Sequence, residues 1–152
     1  MKKNKKKGNN PSTMRCPYCG APMILRSADG IYKENTQQAK LYVCKNYPSC
    51  NTYVRTQPGT FRPLGTPANE KLRALRIQAH RSFDALHQGG HMTKRDAYVW
   101  LATVLQTPQS QAHIGCLGEY SCNQVIIESN RMLQQLRLHR SNQAITHKEA
   151  AT

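Results

Sequence analysis

Apolar residues change their spacing once along this chain, and the change divides it. Between residues 14 and 56 they come in short runs separated by turns: Met23, Ile24 and Leu25, then Ile31 and Tyr32 behind Asp29-Gly30, then Leu41 to Val43, then Tyr53 to Arg55. Such runs predict short strands in a small antiparallel sheet. Residues 57–67 carry Pro58, Gly59, Pro63, Gly65 and Pro67, which excludes helix and central strand alike and marks 57–68 as a linker or clamp. Beyond it the apolar positions recur with a helical period. Leu72, Leu75, Ala79, Phe83 and Leu86 form a stripe between an Asn69 cap and a stop at Gly89-Gly90. Ala97, Leu101, Val104 and Leu105 form a second behind a Thr93/Asp96 capping box, and Val125, Ile126, Ser129, Met132, Leu133 and Leu136 a third behind Ser121 and Gln124. The predicted class is α+β, with a sheet over 14–56 and a three-helix subdomain over 69–140. Residues 141–152 are expected to fray.

Composition changes this picture in two ways. The apolar share is 38% of 152 residues and the mean hydropathy is −0.69, little for one large core, so a metal is expected to replace part of the core of the first half. The 22 Lys and Arg against 8 Asp and Glu leave a net charge of +14, concentrated in the N-terminal two thirds. A cationic surface of that size suits a polyanion, because Lys and Arg that neutralise phosphates release condensed counterions. Behind Met1, the segment to Thr13 is Lys, Asn, Gly, Pro, Ser and Thr, a composition that buries nothing and is expected to form a disordered basic arm. No apolar stretch follows Met1 to Lys7, and no run along the chain is long enough to span a membrane. A cytoplasmic location is therefore expected, and in a reducing cytosol clustered cysteines bind metal rather than pair as disulfides.

Four of the six cysteines form such a cluster. Cys16-Pro17-Tyr18-Cys19 and Cys44-Lys45-Asn46-Tyr47-Pro48-Ser49-Cys50 present two pairs of thiols on tight turns. Tetrahedral zinc takes four soft donors about 2.3 Å away, and turns of this kind aim two thiolates at one point while backbone N–H groups support the sulfurs. With all four positions taken by protein, the expected ion is a single structural Zn2+ that folds the segment into a zinc ribbon. Cys-Pro-Tyr-Cys is also the active-site sequence of glutaredoxins, but that dithiol follows a strand and opens a helix. Here a Lys-rich segment precedes it and Gly20, Ala21 and Pro22 follow.

Cys16-Pro17-Tyr18-Cys19-Gly20, Pro22 to Arg26, Tyr42-Val43-Cys44 and Tyr47-Pro48-Ser49-Cys50 resemble the C-terminal zinc ribbons of bacterial type IA topoisomerases, over about 40 residues. The resemblance implies single-stranded DNA binding through basic and aromatic groups. The rest of the chain departs from those enzymes and has no room for their catalytic tyrosine domain. As a whole it resembles a family of small zinc-finger-containing proteins of phages and prophages, through Pro63 to Thr66, Ala79-His80, Phe83-Asp84, Ala97-Tyr98, Trp100 to Ala102 and His113 to Gly115. That resemblance implies a phage origin and no mechanism.

The residues chosen for nucleic-acid contact are Arg15, Tyr18, Arg26, Tyr32, Lys33, Lys45, Tyr53 and Arg55 on the ribbon, with Lys2, Lys3, Lys5, Lys6 and Lys7 on the arm. Interleaved rings and cations suit single-stranded DNA or RNA, because bases stack on the rings while cations follow the phosphates. Tyr47, inside the second knuckle, is expected to shield the zinc. His113, Cys116 and Cys122, with His91 or His87, repeat the spacing of the first site and would hold a second ion; the competing reading, adopted here, makes Cys122 a core thiol. His80 and Asp84 lie one helical turn apart and would make a general-base pair, but nothing else completes a catalytic set, so His80 is read as a packed structural histidine. Phe83 and Trp100 are read as core. The expectation is a non-enzymatic, phage-associated accessory protein that binds nucleic acid through its ribbon and basic arm while its helical half engages a protein; the alternative is a protein-interaction module, a phage factor that docks on host transcription or replication machinery.

Overall fold

The computed structural model describes residues 14–151. The basic arm of residues 1–13, with Lys2, Lys3, Lys5, Lys6 and Lys7, lies outside the described residues. The strands β1 (Met23–Ser27), β2 (Lys40–Cys44), β3 (Thr52–Arg55) and β4 (Ala68–Asn69) form one antiparallel sheet in sequence order. Helices α1 (Glu70–Gln88), α2 (Lys94–Leu105) and α3 (Glu119–Ala150) follow, with two short 3-10 turns between α2 and α3. The chain is α+β, as its periodicity predicts. It divides into two compact units between Arg73 and Ala74, inside α1.

In the first unit β2 is buried on both faces, which is why Leu41 to Cys44 form an unbroken apolar run. The register sets Tyr42 between Leu25 and Val54, and Val43 between Ile24 and Tyr53. Paired residues share a face and neighbours along a strand alternate. One face therefore gathers Cys16, Met23, Tyr42, Cys44 and Val54, and the other gathers Ala28, Ala39, Leu41 and Val43 beneath Ile31, Tyr32, Tyr47 and Tyr53. Both clusters are small.

One segment of the ribbon differs from the sequence expectation. Ile31 and Tyr32 are not a strand: both donate their N–H groups to the Ala28 carbonyl, at 3.0 and 2.8 Å, in a loop that covers the second cluster. The Pro/Gly segment folds back on the sheet. Thr56 bridges to Pro63, the Tyr42 hydroxyl donates to the Phe61 carbonyl at 2.6 Å, and Ala68–Asn69 adds an edge strand to β3.

The second unit is held by Phe83, Leu86, Ala97, Leu101, Cys122 and Val125, all fully buried. Phe83 meets Tyr98 edge to face at 5.1 Å. The helix starts obey ordinary capping chemistry. Asn69 Oδ1 accepts from Leu72 N–H at 3.0 Å and Thr93 Oγ1 from Asp96 N–H at 3.1 Å. The third start lies elsewhere than predicted. Gly118 is the N-cap of α3, so Ser121 sits within the first turn. The helix also continues to Ala150 rather than ending near 140, although every residue from Arg137 to Ala150 is exposed. No helix among the described residues is long and apolar enough to cross a membrane.

Candidate functional site

The first knuckle is a tight turn closed by Gly20, whose N–H donates to the Cys16 carbonyl at 2.9 Å and whose φ of +76° suits a residue without a Cβ. The second opens at the end of β2, where Tyr47 N–H donates to the Cys44 carbonyl and Cys50 N–H to the Asn46 carbonyl, both at 2.9 Å. Pairing of β1 with β2 brings the two knuckles together, since Met23 lies opposite Cys44. The four sulfurs of Cys16, Cys19, Cys44 and Cys50 then lie within 4.8 Å of one another, with Cys16 to Cys50 at 3.7 Å and Cys19 to Cys44 at 3.4 Å. Four sulfurs held tetrahedrally about 2.3 Å from one ion stand about 3.8 Å apart. The donor set fits zinc and leaves no open coordination position.

The surroundings prepare these thiols for a cation. The Ala21 N–H, then the Cys44 thiol and the Asn46 amide at 3.6 Å, hold Cys19 down to about 6. Burial pushes Cys44 up to about 12. Cys16 is lowered too: burial opposes ionisation there, and the N–H groups of Cys19 and Tyr18 outweigh it. Cys50 is raised, since the pull of the Thr52 hydroxyl at 3.4 Å loses to desolvation and the Cys16 sulfur. Cys44 and Cys50, both raised above the ordinary thiol value, therefore keep their protons near neutral pH. Both protons must leave when zinc enters, so affinity is lowest in acid and climbs with pH. Competition with a chromophoric chelator between pH 6 and 8 is expected to show at least a ~100-fold gain per pH unit, about tenfold for each proton displaced; a flat profile would mean that the thiols are not the ligands.

A family model described as a zinc-finger-containing domain matches residues 12–132. The chain belongs to that family. No curated protein and no solved structure matches it. In this zinc-finger-containing domain the match covers the ribbon and the greater part of the helical unit, so the metal centre and the helices are parts of one family domain rather than a ribbon with an unrelated extension.

Tyr47 does not shield the zinc. Its ring packs with Ala28, Leu41 and Val43 on the opposite face, and Tyr42, which shares the face of Cys44 by the pleat, fills the zinc side instead. The predicted contact residues fall into two groups. Arg15, Tyr18 and Lys45 are exposed around the knuckles. Arg26, Tyr53 and Arg55 share one face of the sheet through the register Arg26, Leu41, Arg55 and Ile24, Val43, Tyr53. Tyr32 joins them from the covering loop, edge to face with Tyr53 at 6.3 Å, and Lys33 follows it, exposed. Burial raises the Tyr32 hydroxyl against the opposing pull of Arg55 and Arg73.

Arg73 is the residue sequence reasoning missed. Its guanidinium lies 3.7 Å from the Tyr53 ring centroid and donates to Asn51 Oδ1 at 2.7 Å, to the Asn51 carbonyl at 2.9 Å and to the Ala68 carbonyl at 2.8 Å. It lies in the first turn of α1, outside the sheet, and no ribbon motif includes it. Because it covers one face of Tyr53, that ring is less open than its sequence position suggests.

The other constellations come apart. The four ribbon cysteines are the one group of three or more candidate ligands among the described residues; Cys122 is buried, Cys116 is exposed, and they form no cluster with His113. Burial raises the Cys122 thiol, as a core position requires. His80 is exposed rather than packed, and Asp84 instead meets His87 Nε2 at 3.3 Å. His87, at the last turn of α1, is the half-buried histidine, edge to face with Phe83 at 5.7 Å.

Proposed function

We propose that the protein is a non-enzymatic, phage-encoded accessory protein that binds single-stranded nucleic acid through its zinc ribbon. The observation that carries the reading is the sheet face on which Arg26, Arg55 and Arg73 surround Tyr32 and Tyr53. These arginines donate to the Asp29 carbonyl at 3.4 Å, to Gln37 Oε1 at 2.7 Å and to the groups of Asn51 and Ala68. None of these acceptors is a carboxylate, so the three charges remain available to phosphate. A strand following them would set its bases against the rings, and Arg15, Tyr18 and Lys45 extend the track toward the knuckles. The zinc holds the platform in shape and takes no part in chemistry.

The test is fluorescence anisotropy of labelled single-stranded DNA, duplex DNA and RNA with zinc-loaded protein over a salt series. Log affinity should fall steeply with log salt, and Arg26→Gln and Arg55→Gln should each reduce the slope by about 0.7 for a single strand. A flat response would refute the reading.

The second reading, a protein-interaction module, has its own observation. Tyr120, Ile127, Leu138 and Ile145 are exposed on α3 at intervals of seven, eleven and seven residues, all close to whole helical turns. They form one apolar line along the helix, on the side away from buried Cys122, Val125 and Ser129. If nucleic acid fails to bind, Leu138→Glu abolishing capture of a host protein would favour this reading.

A further inference from the structure

At the end of the sheet far from the cysteines lies a cleft that the zinc site does not explain. Its volume is about 340 Å³, and Gln37, Lys40, Arg55, Gly59 and Phe61 are among the residues that line it. The register places Lys40 opposite Ser27 and Arg55 opposite Leu41, at the end of the strands remote from the Met23–Cys44 pair. Among the described residues, no carboxylate lines it.

The turn that forms one wall is rigid by construction. Pro58 and Gly59, the latter at φ +74°, make a tight bend closed by Thr60 N–H to the Gln57 carbonyl at 3.0 Å. Gln57 N–H donates to the Arg62 carbonyl at 2.8 Å, and the Thr60 hydroxyl to the Gln57 carbonyl at 2.9 Å. Leu64 N–H donates to the Arg55 carbonyl at 2.8 Å, and buried Tyr42 ties down the Phe61 carbonyl. So fixed, the turn holds Phe61 with 58% of its surface exposed. A large ring held in water by six residues of ordered turn is not a folding device. The Lys40 ammonium lies 5.4 Å from the ring centroid, and Arg55 is steadied by Gln37.

We propose that this cleft is a nucleotide subsite, in which one base stacks on Phe61 while its phosphate meets Lys40 and Arg55. The volume lies at the lower end of the range for small-molecule sites, which suits one nucleotide rather than a dinucleotide. An aromatic ring is the sequence-tolerant surface for any base, and Lys40 over that ring with Arg55 lining the same cleft, and no acid among the described lining residues, selects an anion attached to that base. Gln37 supplies an amide able to donate and accept at a base edge. The choice of a nucleotide rests on the nucleic-acid reading above, but the cleft is tested apart from it.

The chain has two phenylalanines, and the second, Phe83, is wholly buried, so ring-labelled protein supplies both the probe and its control. The full zinc-loaded chain with 13C-labelled phenylalanine rings is titrated with adenosine 5′-monophosphate, ribose 5-phosphate and inorganic phosphate. A saturable upfield shift of the Phe61 signals by the nucleotide alone, with Phe83 unmoved, is the expected result. Lys40→Gln should weaken it about 5-fold and leave the limiting shift unchanged, since the ring still stacks. Phe61→Trp should retain binding and Phe61→Ala lose it about tenfold or more, both read by calorimetric titration with adenosine 5′-monophosphate because neither variant carries the reporting ring, with zinc content and the Phe83 signals unchanged in both. The proposal is overturned if Phe61 stays still, if ribose phosphate moves it equally, or if a phosphotyrosine peptide moves it at lower concentration than the nucleotide. A labelled strand that binds with a steep salt slope while Phe61 ignores both strand and mononucleotide sinks the cleft and spares the proposed function. A nucleotide that moves Phe61 in protein that binds no strand does the reverse.

Discussion

Stripping the metal from the protein with a strong chelator is expected to unfold residues 14–73 and leave the helical unit folded. The ribbon has little else to hold it. Of the five residues buried on the zinc side of its sheet, Cys16 and Cys44 are themselves ligands, and the opposite cluster consists of two alanines, a leucine and a valine. A structural zinc contributes about 10–16 kcal/mol of apparent binding energy in small domains, far more than clusters of this size supply. In a heteronuclear amide spectrum the ribbon signals should collapse to random-coil positions while those of α2 and α3 stay dispersed. Metal analysis of the native protein should give one zinc per chain. Cys44→Ser should reproduce the collapse, because it leaves three ligands around a buried position. Cys116→Ser, at an exposed thiol outside the cluster, should change stability by no more than about 0.5 kcal/mol. Ribbon signals that stay dispersed after the zinc has gone would show that the apolar clusters suffice.

The complementary result is expected from Phe83→Ala. Phe83 has no exposed surface and meets both Tyr98 and His87 edge to face. Truncating such a ring removes its transfer energy and leaves a cavity, at a cost of about 3–5 kcal/mol, with a further fraction from the lost aromatic pair. Small domains hold about 5–15 kcal/mol in total, so the helical unit should lose much of its stability and melt at markedly lower urea. Zinc stoichiometry and the ribbon amides should be unaffected, since the ribbon draws its stability from the metal. Loss of zinc from Phe83→Ala would mean that the helices are needed to fold the ribbon, and a shift in urea midpoint worth under about 1 kcal/mol would mean that the cavity refills.

The two experiments separate two ways of stabilising a chain that is poor in apolar residues. One unit draws on four thiolates converging on an ion, the other on a ring and a few aliphatic side chains between helices. A common family domain spans both.

How much of this was legible in the residues depends on the range of the interaction. Cys16, Cys19, Cys44 and Cys50 could be chosen as ligands because knuckle geometry is local, and the two turns need only a strand pair to meet. The Asn69 and Thr93 caps were legible for the same reason. Ser121 was not, since the helix begins three residues earlier at Gly118, a start without a side-chain cap that no capping box signals. Tyr47 was assigned to the zinc by its place in the knuckle, whereas the pleat gives that side to Tyr42. His80 and Asp84 had the right spacing for a pair, but Asp84 found His87 one turn on.

Chain order by itself determined the metal, its four ligands, the α+β class and the basic character, because each follows from residue type at short spacing. The tertiary structure alone decided which side chains share a surface. Arg73 reaches Tyr53 from a helix, Phe61 meets Lys40 from a folded-back turn, and Arg26 joins Arg55 across a central strand. Strand register and chain reversal bring those groups together, and both are set by the burial of Tyr42 and its neighbours, a property of the whole packed unit that no local pattern contains.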